Sequence, residues 1–297
     1  MYPPKWYIGL DVQDHDIRAL AAIKRRDGWQ LRHCWQYRLS SETISGGRLQ
    51  DPEKLLHILI QWRKILPKNL SLRFALPVQQ TLQKQIALPG QTALQEPELG
   101  WFVHASAGKQ FPVSDLALDY RVHGQQICIS ATRQKDLNLW LNLFSEINLS
   151  LDAIDIAPCA LRYAAKLAGV PDDSWLVHKR MTDWLWVAPA DRPFSYGLIA
   201  AQPDRHLVQV INQLPITPET ESYTLYYSDE AQPTSIKAIS VKTTSTPTLT
   251  SVSTESANES ANSWQLLMAF RHYHPPLPDK MNAFIIAAGL ALRPSDQ

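Results

Sequence analysis

At 297 residues the chain is long enough to divide into two hydrophobic cores, because single cores stop growing near this length. Its 29 basic and 28 acidic residues leave a formal net charge of +1, which supplies no bulk attraction toward nucleic acid or anionic lipid. No stretch approaches the roughly 18 consecutive apolar residues of a membrane span, and Pro3 and Pro4 lead straight into a strand pattern, so a soluble, cytoplasmic protein without a signal peptide is expected.

The first elements read as an antiparallel meander: apolar runs at Trp6–Leu10, Ile17–Ile23 and Trp29–Leu39, separated by polar turns at Gln13–Asp16 and Arg25–Gly28. Asp51 followed by Pro52 is a helix start, and Leu55, Leu56, Leu59 and Trp62 recur at helical spacing through Ile65. Leu72–Leu76, closed by Pro77, reads as a buried strand. The pattern then restarts with a strand at Gln85–Leu88, a helix from about Glu96 to Lys109, strands at Leu116–Val122 and Gln126–Thr132, a helix at Leu137–Ile147 and a strand at Leu151–Ile156. Residues 78–156 are therefore expected to form an inserted α+β subdomain.

The Ala-rich helix Pro158–Leu167, stopped by Gly169 and Pro171, returns the chain to a parent unit made of residues 1–77 plus 157–171. Trp175–Val177, Trp184–Ala188 and Tyr196–Ala200 give a second meander, followed by a helix at about Pro203–Leu214 and strands at Tyr223–Tyr227 and Ile236–Val241. The recurrence of strand, strand, strand, helix makes 172–297 a second lobe. Within it, residues 243–263 are nearly all Thr, Ser, Pro, Asn, Ala and Glu, a composition expected to be a disordered loop. Met281–Leu292 is apolar enough to be a buried terminal helix.

Candidate chemistry concentrates in Ile8-Gly9-Leu10-Asp11-Val12-Gln13-Asp14-His15-Asp16-Ile17-Arg18. In actin-like ATPases the corresponding hairpin ends its first strand on an Asp that helps hold magnesium, and its Gly- or Ser-rich turn brings backbone N–H groups to the phosphates. Asp11 fits the first requirement. The turn does not fit the second, because Asp14 and Asp16 place two carboxylates where a triphosphate would sit, and each such pair opposes binding by roughly 1 kcal/mol at a surface; a solvated turn is expected.

The opening Ile8–Asp11 resembles the start of the PilM/HofM family of type IV pilus assembly proteins. Phe74-Ala75-Leu76-Pro77 with Lys84–Pro89 is similar to that family's strand pair, and so are Gln110-Phe111-Pro112, Leu116–Tyr120, Ile154-Asp155-Ile156 and Ala287–Arg293, in order along the chain. The resemblance implies an α/β, two-lobed actin-like ATPase (ribonuclease H-like) fold with an inserted α+β subdomain in the first lobe. It further implies a cytoplasmic scaffold, peripheral to the inner membrane, of a pilus-like or DNA-uptake apparatus, whose partner is a PilN/HofN-like bitopic inner-membrane protein held by its N-terminal cytoplasmic tail. Tyr37, Phe74 and Trp101 are candidates for lining the groove that takes this tail.

Against the family's ATP-binding relatives, the second phosphate hairpin is degenerate: Leu176–Thr182 offers neither Asp nor Gly, and His178-Lys179-Arg180 reads as an exposed basic turn. Leu225–Asp229 stands near the place of the Gly-Gly pair that approaches adenosine. No catalytic residues and no cofactor are therefore expected. The alternative is an ATP/Mg-dependent switch that keeps Asp11 and uses Arg18 in place of the usual Lys. Direct DNA contact, resting on Trp6, Trp29 and Trp35 mixed with Lys24, Arg25, Arg26, Arg32 and Arg38, is the weakest reading. His272 and His274 lack an acidic or thiol partner nearby in sequence and read as a packed or solvated loop; no metal site is expected. Cys34, Cys128 and Cys159, scattered among apolar neighbours, read as buried thiols in a reducing compartment.

Overall fold

The computed structural model describes residues 3–89, 94–111, 115–216, 223–234 and 262–294. The first meander is β1 (Trp6–Val12), β2 (Asp16–Arg25) and β3 (Gly28–Arg38); a small hairpin, β4 (Ile44–Ser45) and β5 (Arg48–Leu49), precedes α1 (Pro52–Ile65) and β6 (Leu70–Leu76). Then come β7 (Leu82–Ala87), α2 (Glu98–Gln110), β8 (Leu116–His123), β9 (Gln126–Arg133), α3 (Gln134–Glu146), β10 (Leu151–Ile156) and α4 (Ala157–Leu167). The rest is β11 (Trp175–Lys179), β12 (Asp183–Val187), β13 (Tyr196–Ala200), α5 (Leu207–Ile211), β14 (Leu225–Asp229), β15 (Asn262–Ser263), β16 (His272–Tyr273) and α6 (Ile285–Leu292).

Two sheets share one plan. In the first, ordered β10-β6-β1-β2-β3-β16, the antiparallel meander β1-β2-β3 is extended by β6 and β10, which run parallel to β1 and to each other. In the second, ordered β13-β12-β11-β14-β15, the meander β11-β12-β13 is extended by parallel β14 and β15.

Ile8–Val12 and Asp16–Ile23 are buried without alternation, which requires cover on both faces of the sheet. On one face Trp35 meets Trp62 of α1, and Phe74 meets Trp140 and Phe144 of α3. The opposite face, carrying Gly9 and Arg73, takes α6, whose Leu290 and Ala291 carbonyls accept from Arg73. A Cβ on Gly9 would lie 1.9 Å from the Ala287 carbonyl oxygen, so only glycine lets this helix come so close. Helix α1 starts as expected, with Asp51 accepting from the Lys54 N–H at 3.1 Å and Leu55, Leu59 and Trp62 buried.

Two domain boundaries differ from the sequence reading. The insertion is only β7, α2, β8 and β9, a three-stranded sheet closed by one helix over a small core that includes Leu99, Val103, Phe111, Ile127 and Ile129. Helix α3 and strand β10, expected within it, belong to the first lobe: Trp140, Leu143 and Phe144 join that lobe's core, and β10 pairs with β6. The segment from Trp264 onward, expected in the second lobe, returns to the first, where β16 pairs with β3 and α6 packs on β1.

Of the expected disordered loop, Asn262–Ser263 form β15 against β14; the remainder, and the strand expected at 236–241, lie outside the described residues. Helix α5 is shorter than expected, because only Leu207 and Val210 offer it a buried side.

Candidate functional site

Hairpins β1–β2 and β11–β12 face each other across a cleft between the lobes. Asp11 is buried at the end of β1 and accepts from Gln13 Nε2 at 2.7 Å. Burial pushes its carboxyl above the ordinary range, against the opposing influence of the Gln13 hydrogen bond and the charges of Arg180 and Arg18. The gap beside Asp11, shared with Asp14, Arg180 and Asp183, is about 20 Å³, room for a single water.

The turn expected to be solvated is instead consumed by internal contacts. Asp14 accepts from the backbone N–H groups of Gly46 and Gly47 at 2.9 and 2.8 Å, an arrangement of donors suited to an anion and filled here by the chain's own carboxylate. Asp16 is buried as the first residue of β2 and accepts from Arg18 Nε at 3.0 Å and Gln36 Nε2 at 2.6 Å.

Arg18 crosses the cleft. Its Nη1 lies 2.5 Å from Glu230 Oε1 and donates to the Ala283 carbonyl at 3.0 Å, with only 4% of the Arg18 side chain and 8% of Glu230 exposed. Burial raises the Glu230 carboxyl, but the neighbouring His178 and Arg18 more than offset this and hold it at about 2. His178 Nε2 stands 3.7 Å away, beyond hydrogen-bond distance, so Arg18 carries the larger share.

The second hairpin is not an exposed basic turn. His178 is fully buried and shares a hydrogen bond with Ser228 at 2.9 Å, and Arg180 binds both oxygens of Asp183 at 2.7 and 2.8 Å. Asp183 is the carboxylate that a reading ending at Thr182 misses. A local signal existed: each hairpin opens its second strand on a buried Asp, Asp16 or Asp183, paired with an arginine within three residues. Glu230 had none, since its partner is remote in sequence. On the far side of the Arg18–Glu230 pair the cleft opens into a cavity of about 940 Å³, lined by His15, Arg18 and Arg38 from one lobe and Lys179, Arg180 and Asp229 from the other.

A second opening lies between the insertion and the first lobe. Strands β8 and β10, each at an edge of its sheet among the described residues, both line a space of about 180 Å³, with Leu118, Ala131, Leu137 and Ile154 as apolar walls and Asp119, Arg121 and Asp155 as charged groups. Arg121 Nη1 donates to Cys159 Sγ at 3.0 Å, and burial pushes that thiol up, keeping it neutral. Asp155 pairs with Arg293 at 3.0 Å.

The three residues expected to line a groove do not converge here. Phe74 is fully buried between Trp140 and Phe144, Tyr37 lies on β3 across the sheet from β10, and Trp101 projects from α2 with 69% of its surface exposed. His272 pairs with Asp27 at 2.8 Å and His274 bonds Gln30 at 2.8 Å. Among the described residues no cluster of three potential metal ligands occurs, and no helix is long and apolar enough to cross a membrane.

Two sheets of identical plan, with facing hairpins at one cleft and an insertion between β6 and α3, define a two-lobed actin-like protein. Its fold matches the solved PilM-PilN type IV pilus biogenesis complex with a TM-score of 0.70 at 14% identity, covering 98% of this chain and 99% of that one. It also matches the cytoplasmic domain of EpsL, an inner membrane component of the type II secretion system of Vibrio cholerae, with a TM-score of 0.58 at 11% identity over 97% and 95% of the two chains.

The chain belongs to the type IV pilus assembly protein PilM family, whose model matches residues 9–174, more than half its length. It is 24% identical over 203 residues to the DNA utilization protein HofM of Escherichia coli strain K12, spanning 66% of this chain and 78% of that relative.

Proposed function

We infer that this protein is a non-catalytic scaffold of a type IV pilus-like or DNA-uptake apparatus, which holds an extended tail of a PilN-like inner-membrane protein. The observation that carries the non-catalytic reading is the Arg18–Glu230 pair. With Asp16, Arg180 and Asp183 it takes up the charges of both hairpins internally, so the two lobes are bridged by side chains where a nucleotide and its cation would bridge them.

The tail fits the opening between β8 and β10. Each strand leaves one edge without a partner strand among the described residues, and an extended peptide adds to such edges through backbone hydrogen bonds while its side chains enter the apolar space between them. Recognition by this route asks for no nucleotide chemistry. A partner named PilN in the matching solved complex supports this class of ligand.

The test is calorimetry of the full chain against a synthetic peptide of the partner's cytoplasmic tail and, separately, against magnesium-ATP. Micromolar peptide binding, weakened more than tenfold by Leu118→Glu, together with no ATP heat supports the scaffold. The cavity of about 940 Å³ is what favours the second reading, a nucleotide-dependent switch. Tight ATP binding abolished by Asp11→Ala would establish that reading and sink the first.

A further inference from the structure

At the end of the first sheet farthest from Asp11, the β2–β3 turn and the segment entering β16 border an open depression of about 670 Å³ that neither hairpin nor groove explains. Three arginines, Arg25, Arg26 and Arg271, line it together with His272 and His274, and the acidic residue in its lining is Asp27. Its formal charge is +2 with both imidazoles neutral, more than the whole chain's net +1.

Arg25, the Arg271 stem and both histidines are held by the fold, and Arg26 stands exposed beside them. Arg25 Nε donates to Gln30 Oε1 at 2.8 Å, and Gln30, itself buried, bonds His274 at 2.8 Å. The Arg271 N–H donates to the Trp29 carbonyl at 2.9 Å, and its stem lies across Gly28, where a Cβ would come within 2.5 Å of Cγ at a backbone φ of +142°. Asp27, the natural counter-ion, is engaged by His272. Like charges gathered by backbone and side-chain contacts repel one another unless an anion joins them.

We propose that this pocket binds a phosphate group, either the headgroup of an anionic phospholipid or a free phosphate compound. Three arginines gathered at one end of a sheet converge on a single phosphate, whereas a nucleic-acid backbone is followed by a stripe of charges along several phosphates. Half-buried Trp29 and Tyr273 beside it are the side chains that settle at a headgroup boundary. Binding weakens as salt rises, and each arginine contributes about fivefold.

The experiment is co-sedimentation of the full chain with vesicles of phosphatidylglycerol or of phosphatidylcholine, and calorimetry against inorganic pyrophosphate. Arg26→Gln with Arg271→Gln is expected to lower the affinity roughly 25-fold. Arg48→Gln with Lys64→Gln, equally exposed elsewhere, serves as the charge-matched control and is expected to change nothing. Sedimentation with phosphatidylglycerol alone assigns the lipid headgroup, and pyrophosphate heat without sedimentation assigns a free phosphate. If neither ligand binds, if the double variant binds as well as the wild type, or if a DNA duplex binds in place of both, the proposal is overturned. Circular dichroism of each variant confirms that the fold persists.

Discussion

Replacing Glu230 with Gln removes the charge that Arg18 reaches across the cleft while keeping the shape and the hydrogen-bonding oxygen. The Glu230 carboxyl lies at about 2 against an ordinary 4.5, and the group is nearly buried. At about 1.4 kcal/mol per unit, the difference corresponds to roughly 3 kcal/mol of folding stability at neutral pH. That falls at the lower end of the 3–5 kcal/mol expected when one partner of a buried pair is lost, in keeping with the second partner, Asp16, that Arg18 retains.

For a chain of this size, Glu230→Gln should lower the melting temperature by about 6 °C. Because the folded value is depressed, the stabilisation is complete above 4.5 and disappears as pH falls toward 2. Wild type and variant, followed by thermal circular dichroism down a pH series, should therefore differ at neutral pH and converge in acid. Equal melting temperatures at neutral pH, or a constant difference throughout, would refute the assignment of the interlobe bridge to this pair. A cycle with Arg18→Gln and the double variant measures the coupling directly.

Asp11→Asn should leave the melting temperature unchanged or raise it at neutral pH, because burial already disfavours the charged carboxylate and Asn keeps an acceptor for Gln13; a fall of several degrees would show that the charge is needed. Gly9→Ala should cost about 3 kcal/mol, since the new methyl meets the α6 backbone rather than a movable side chain, and urea unfolding would show it as a lower midpoint with an unchanged slope. Trp101→Ala should alter stability by less than about 0.5 kcal/mol, given its exposure, so any loss of peptide binding in that variant reports contact rather than folding.

Much of the architecture was legible because it is local. The meander Trp6–Leu39 and the helix at Pro52–Ile65 are written in apolar runs, polar turns and an Asp-Pro start, and each is found within one or two residues of its expected place. The family resemblance and the two-lobed actin-like plan were legible for the same reason, as ordered motifs along one chain. The site was less so. Asp11 stands where expected, yet Asp16 and Arg180 were read as solvent-facing when Asp16 is buried against Arg18 of its own strand and Gln36 of β3, and Arg180 against Asp183 of β12.

Sequence by itself determined the long strands and helices of the two meander units, that the strand, strand, strand, helix order occurs twice, and that the hairpin turns lack the glycines of a phosphate loop, while the short strands β4, β5, β15 and β16 escaped it. Tertiary structure alone decided that α3, β10 and α6 serve the first lobe, that Arg18 meets Glu230, and that β8 and β10 line one opening. The reason is physical: periodicity tells which face of an element is apolar, but not which other element will cover it. A buried charge is recognisable only when its counter-charge is seen: Asp16 and Asp183 have theirs within three residues, whereas that of Glu230 lies more than two hundred residues away.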